Sequence, residues 1–166
     1  MAKIRSEIQY LLRKIRLLGL VDRVRYVVYL LLYWRRNSRF IAQNPGFALP
    51  PKELAYDAYS APDWHFYKES GENTAKFLAG VIREYFGKVG DIVICEWGCG
   101  PGRVIRHLPK ELGQSARIYG SDYNPDTIAW CTGHIKGIQF LINALEPPLP
   151  FASHFFDCIY AISVFT

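Results

Sequence analysis

The segment Glu96-Trp97-Gly98-Cys99-Gly100-Pro101-Gly102-Arg103 joins a strand-like run to a helix-like one. Its three glycines let the backbone approach a ligand where a side chain would block it. The helix N-terminus behind them offers unpaired N–H groups and a partial positive charge. Asp122 lies 24 residues after Gly98, at the end of the next strand-like run. A carboxylate there accepts hydrogen bonds from both hydroxyls of a ribose. The combination reads as a site for a nucleoside-containing cofactor laid across strand ends.

The elements that must position these residues follow from the hydrophobic pattern. Strand-like runs cover residues 91–96 (DIVICE), 117–121 (RIYGS, ending at Asp122), 138–142 (IQFLI, ending at Asn143) and 158–165 (CIYAISVF). Between them, Val104, Ile105, Leu108 and Leu112 predict a helix kinked at Pro109, and Asn124-Pro125 opens another helix to about Cys131. Strands alternating with helices imply a parallel sheet with right-handed crossovers. Upstream, Asn44-Pro45-Gly46 is a turn signal, Pro50-Pro51 and Pro62 each open a short helix, and Gly71 precedes a helix ended by Gly87. Ala75, Leu78, Ile82 and Tyr85 lie on the apolar face of that helix. Tyr56, Trp64, Phe66 and Tyr67 form an aromatic cluster read as core packing, with a lid over the cofactor as the alternative.

A dinucleotide fingerprint, GxGxxG, needs glycine at position 103, where this chain has Arg103. The spacing is GxGxG with an acid two residues ahead. It resembles motif I of the class I S-adenosylmethionine (SAM) dependent methyltransferases. The resemblance extends over about residues 70–166, through Asp122, Asn143-Ala144 and Phe156-Asp157. It implies an α/β fold with a Rossmann-like parallel sheet of order 3-2-1-4, preceded by a helical N-terminal region. It also implies SAM as cofactor. Gly98, Gly100 and Gly102 would line its methionine and ribose parts, and Glu96 would face its amino end. Asp122 would take the ribose hydroxyls, and Tyr123 would pack on the adenine. Asn143, with Ala144 beside it, stands where the family usually has Asp for the adenine amino group, and an Asn oxygen also accepts that bond. Ser163, with the residues up to Thr166, falls where the fourth strand nears the methyl donor and substrate. Arg103 reads equally as a carboxylate holder and as a solvated surface residue. No catalytic base and no metal site is assigned; His107 and His154 are remote candidates for a base. The family fold has seven strands and this sequence supplies four, so a partial reading of a longer methyltransferase is expected.

The 166 residues carry a net charge of +5, distributed unevenly. Residues 1–39 hold ten Lys/Arg against Glu7 and Asp22, a net +8, while residues 40–166 net −3. Ile4, Ile8, Leu11, Ile15 and Leu18 form a helical stripe stopped by Gly19, and Asp22 caps a second helix that ends near Asn37. A basic amphipathic pair of this kind suits an anionic membrane surface, or packs on the protein with its arginines solvated. No nucleic-acid motif accompanies it. The apolar stretch of residues 26–34 is nine residues long, where a spanning helix needs about 20. The four cysteines show no CxxC pair and read as free thiols of a reducing compartment. The sequence thus divides into a basic helical segment (1–39), a helical and loop lead-in (40–90) and a partial SAM-binding core (91–166). It predicts a cytoplasmic methyltransferase, at most peripheral to a membrane, acting on a small-molecule, glycan or lipid acceptor. The alternative is a non-catalytic fragment that binds SAM, a membrane or another protein.

Overall fold

The computed structural model describes residues 18–87, 90–113, 115–146, 148–162 and 164. The apolar stripe from Ile4 to Ile15 lies outside them. Three helices precede the sheet. α1 (Leu18–Gln43) runs unbroken through Gly19, Asp22 and Asn37, where the sequence suggested a stop, a cap and an end. Each of these residues has another role or none. Gly19 stands in open space in the first turn. Asp22 accepts from the Tyr56 hydroxyl at 2.8 Å and pairs with Arg25 at 3.2 Å. Asn37 is buried: its amide donates to the Pro62 carbonyl at 2.6 Å and its oxygen accepts from the Trp64 N–H at 3.0 Å. Asn44 ends the helix, donating from backbone and side chain to the Phe40 carbonyl, before a turn with Gly46 at φ +88°.

α2 (Lys52–Tyr59) starts behind Pro51 and ends at Ser60 in the left-handed region, φ 58°. α3 (Trp64–Phe86) is capped by Asp63, whose side chain accepts from the His65 and Phe66 N–H groups at 3.0 and 3.2 Å. Arg36 of α1 pairs with the same Asp63 at 3.2 Å, so α1 is tied to the start of α3. Gly71 does not precede this helix as expected; it lies inside it, with two turns ahead of it. A Cβ at that position would collide with the carbonyl of Arg103, so glycine is needed there for the close approach of a distant loop. Gly87 ends α3 as expected.

The sheet comprises β1 (Val93–Trp97), β2 (Arg117–Asp122), β3 (Gln139–Ile142) and β4 (Cys158–Ala161), all parallel, in the order β3-β2-β1-β4. The order is the one implied by the resemblance. β1 is followed by a 3₁₀ turn (Ile105–His107) and α4 (Leu108–Leu112); β2 is followed by α5 (Pro125–His134). Pro109 produces no kink. It occupies the first turn of α4, where its missing N–H has no partner to lose. Asn124 caps α5, its oxygen accepting from the Asp126 and Thr127 N–H groups.

One sheet face packs Ile94 and Ile118 against Ala75, Ala79 and Ile82 of α3, with Ile105 and Leu108 between them. Each fully buried aliphatic side chain there contributes about 1.5–3 kcal/mol. On the other face Val93, Cys95 and Tyr119 are covered by Phe151 and Phe156 of the β3–β4 connection. The chain runs outward from β1 to β2 and β3, then returns to place β4 on the other side of β1. That reversal opens a crevice at the C-terminal ends of the strands, where α/β sheets bind ligands.

Candidate functional site

A cavity of about 800 Å³ opens over that crevice. Its wall takes in Glu96 from β1, Gly98 and Gly100 from the loop after it, Asp122 and Tyr123 from the end of β2, and Asn143 just past β3. Parallel pairing aligns the strand ends, so residues far apart in sequence meet at one rim. Gly102 and Ala144 are not on the wall. A Cβ at Gly102 would collide with Ile135, so this glycine, at φ +74°, packs the loop against the end of α5 instead of lining the ligand space. Ala144 is exposed and its carbonyl accepts the Asn143 amide at 2.7 Å. Ser163 lies outside the described residues.

The loop is latched to β2 by backbone and side-chain bonds. The Gly98 and Cys99 N–H groups donate to the Ser121 carbonyl at 2.8 and 2.9 Å. The Gly100 N–H donates to Asp122 Oδ2 and the Asn124 N–H to Asp122 Oδ1, both at 2.9 Å. Asp122 therefore shapes the loop as well as facing the cavity. Each carboxylate oxygen keeps a second lone pair for a ligand.

Glu96 is buried at the end of β1 and accepts from the Tyr160 hydroxyl at 2.9 Å. Burial pushes its carboxyl up to about 8; the Tyr160 hydrogen bond and the charge of Arg103 pull the other way without cancelling it. A carboxyl held this way ionises readily when a cation arrives beside it.

Of three further wall residues, the sequence offered Arg103 as a carboxylate holder and Phe66 as part of a lid only as alternatives, and did not single out Tyr59. Tyr59 ends α2 and Phe66 is in the first turn of α3; the guanidinium of Arg103 lies 5.2 and 5.8 Å from their ring centroids. Arg103 donates to Ser70 Oγ at 3.0 Å, which removes it from the solvated-surface alternative. Of the aromatic cluster, Tyr56, Trp64 and Tyr67 are buried as packing residues, whereas Phe66 faces the cavity. Nothing local marks Tyr59. Tyr160 was legible only through strand register, which sets it opposite Glu96. Among the described residues, Arg103 Nε and Asn143 Oδ1 are buried without a hydrogen-bond partner. Tyr59, Arg103 and Asn143 belong to the cavity wall, and the two unpartnered atoms are one donor and one acceptor.

His107 and His154 are absent from the wall. His107 is packed on Phe47, and burial, with the nearby Arg106 charge, lowers it to about 4. Among the described residues no group of His, Cys, Asp and Glu is placed to hold a metal ion.

A glycine loop between β1 and a helix, with acids at the ends of two adjacent parallel strands, defines a Rossmann-like fold. Residues 94–166 match the family model described as a methyltransferase domain, and the fold of this part is the Rossmann-like fold of class I methyltransferases. The carbon methyltransferase CurJ superimposes with a TM-score of 0.52 at 17% identity, over 95% of this chain and 43% of that one. The magnesium protoporphyrin IX methyltransferase of Synechocystis PCC 6803, solved with S-adenosylhomocysteine (SAH), gives 0.46 at 15% identity over 68% and 55% of the two chains. The plantazolicin methyltransferase BpumL, also solved with SAH, gives 0.43 at 23% identity over 66% and 45%. The chain thus spans about half the length of these structures.

Proposed function

We propose that the cavity binds SAM and that the chain belongs to an enzyme transferring its methyl group to a small-molecule, glycan or lipid acceptor. The observation that carries this reading is one wall joining Glu96, Asp122 and Asn143 at the ends of three parallel strands, with unpartnered polar atoms among its residues. Those residues fit the cofactor's chemistry. Asp122 accepts from the ribose hydroxyls with the lone pairs that Gly100 and Asn124 leave free. Asn143 Oδ1 accepts from the adenine amino group, and the exposed Tyr123 ring covers the base. Glu96 receives the ammonium of the methionine end, and Arg103 with Tyr59 receives its carboxylate. When bound, SAM supplies an electrophilic methyl on a sulfonium. The chain's part is to orient that end and, through Phe66 and Tyr59, to exclude water.

The reaction belongs in the cytoplasm, a compartment that keeps four free thiols reduced. The first experiment is calorimetric titration of SAM into the chain, with NAD as control. Saturable SAM binding that disappears in Asp122→Ala is expected. A folded chain that ignores SAM would overturn the reading. Transfer of labelled methyl then separates an enzyme from a module that only binds.

A further inference from the structure

We propose that the outward face of α1 seats the chain on the surface of an anionic lipid bilayer. The inference is independent of the cofactor reading. A surface helix ordinarily turns its aliphatic stripe toward the core. α1 does the reverse. Its inward side is polar and aromatic: Tyr26 donates to Glu53 at 2.7 Å, Tyr29 packs on Tyr56 at 6.2 Å, and Asn37 bridges Pro62 and Trp64. Its outward side carries Leu20, Val24, Val27, Leu31 and Trp34 at steps of four, three, four and three, with Leu31 73% and Trp34 62% exposed.

The charge on this face chooses the occupant. Arg23, Arg35 and Arg39 are exposed, and none pairs with an acid among the described residues. The only acid of α1, Asp22, is engaged with Tyr56 and Arg25. A second copy would bring the same three arginines against themselves with no carboxylate between. Anionic headgroups supply the missing charge, acyl chains accept the aliphatic residues, and Trp34 suits the boundary between the two. Among the described residues no helix is long and apolar enough to cross a membrane, so α1 lies in the interface plane.

The test is co-sedimentation of the full chain with vesicles of phosphatidylcholine alone, or containing about 30% phosphatidylglycerol. Two double variants are compared: Val24→Glu with Leu31→Glu, and Arg35→Glu with Arg39→Glu. All four positions are exposed, and circular dichroism checks that each variant folds. The anionic vesicles are expected to bind at least about tenfold more tightly than the neutral ones, and each double variant to lose at least about tenfold. Failure to bind anionic vesicles overturns the proposal. So does binding that neither double variant changes. A dimer that disappears with Leu31→Glu, in a chain that ignores vesicles, overturns it in favour of self-association.

Discussion

The Tyr160 hydroxyl donates to Glu96 Oε2 at 2.9 Å, across two parallel strands whose register places these residues side by side. The bond holds a buried acid at the inner end of the cavity. Burial raises the Glu96 carboxyl to about 8 from an ordinary 4.5. Between those two pH values the folded chain keeps a proton that the unfolded chain has released. The contribution of this group to stability is therefore fully present below about 4.5 and is lost as pH rises towards 8. Urea midpoints from pH 5 to 8 are expected to fall for the parent chain, and to fall less for Glu96→Gln.

The same residue is expected to give cofactor binding a pH dependence. If Glu96 receives the ammonium of SAM, as proposed above, affinity is expected to rise with pH up to about 8, and binding at neutral pH to release a proton. Calorimetry in buffers of different ionisation heat reads that proton directly. It is expected to vanish in Glu96→Gln, which also binds more weakly.

Asp122→Ala has a cost beyond the ligand. It leaves the Gly100 and Asn124 N–H groups without their acceptor, and bonds to a charged acceptor contribute about 1.5–3 kcal/mol each. A loss of about 2–4 kcal/mol in denaturant unfolding is expected, with Asp122→Asn retaining part of it because its oxygen still accepts one amide.

Gly71→Ala is expected to destabilise by about 1–3 kcal/mol, since the new methyl group meets the Arg103 carbonyl. Because Arg103 is on the cavity wall, SAM affinity is expected to fall as well, although Gly71 is not itself a wall residue. Titration calorimetry beside urea unfolding measures both.

Asn37→Ala removes the partners of the Pro62 carbonyl and the Trp64 N–H, both at the start of α3. A loss of about 2–3 kcal/mol is expected from stranding these groups. The exposed Ser38→Ala, next in the chain, is expected to change the unfolding midpoint little.

The strand–loop–helix unit from Val93 onward was legible because its signals are local. Alternation of apolar runs with capped helices sets the sheet, and the resemblance of the glycine loop supplied its order. Once the strands are parallel, Glu96, Asp122 and Asn143 must share one rim, since each lies within a residue of the end of its strand. The misread positions are those whose partners are distant. Gly19 and Gly71 look like helix boundaries by local rules, and Asn37 looks like a terminator. In the fold, Gly71 makes room for the Arg103 backbone and Asn37 joins α1 to α3.

Residue types and spacing by themselves determined the class of sheet, the glycine loop and the acids at the strand ends. Tertiary structure alone decided that Gly102 packs on Ile135, that Tyr59 and Arg103 line the cavity, and that α1 turns its aliphatic side outward. The physical reason is range. Propensity and capping act over a few residues along the chain. Which side of a helix is covered, and which hydroxyl reaches which carboxylate, depends on groups brought together from 27 to 64 positions away.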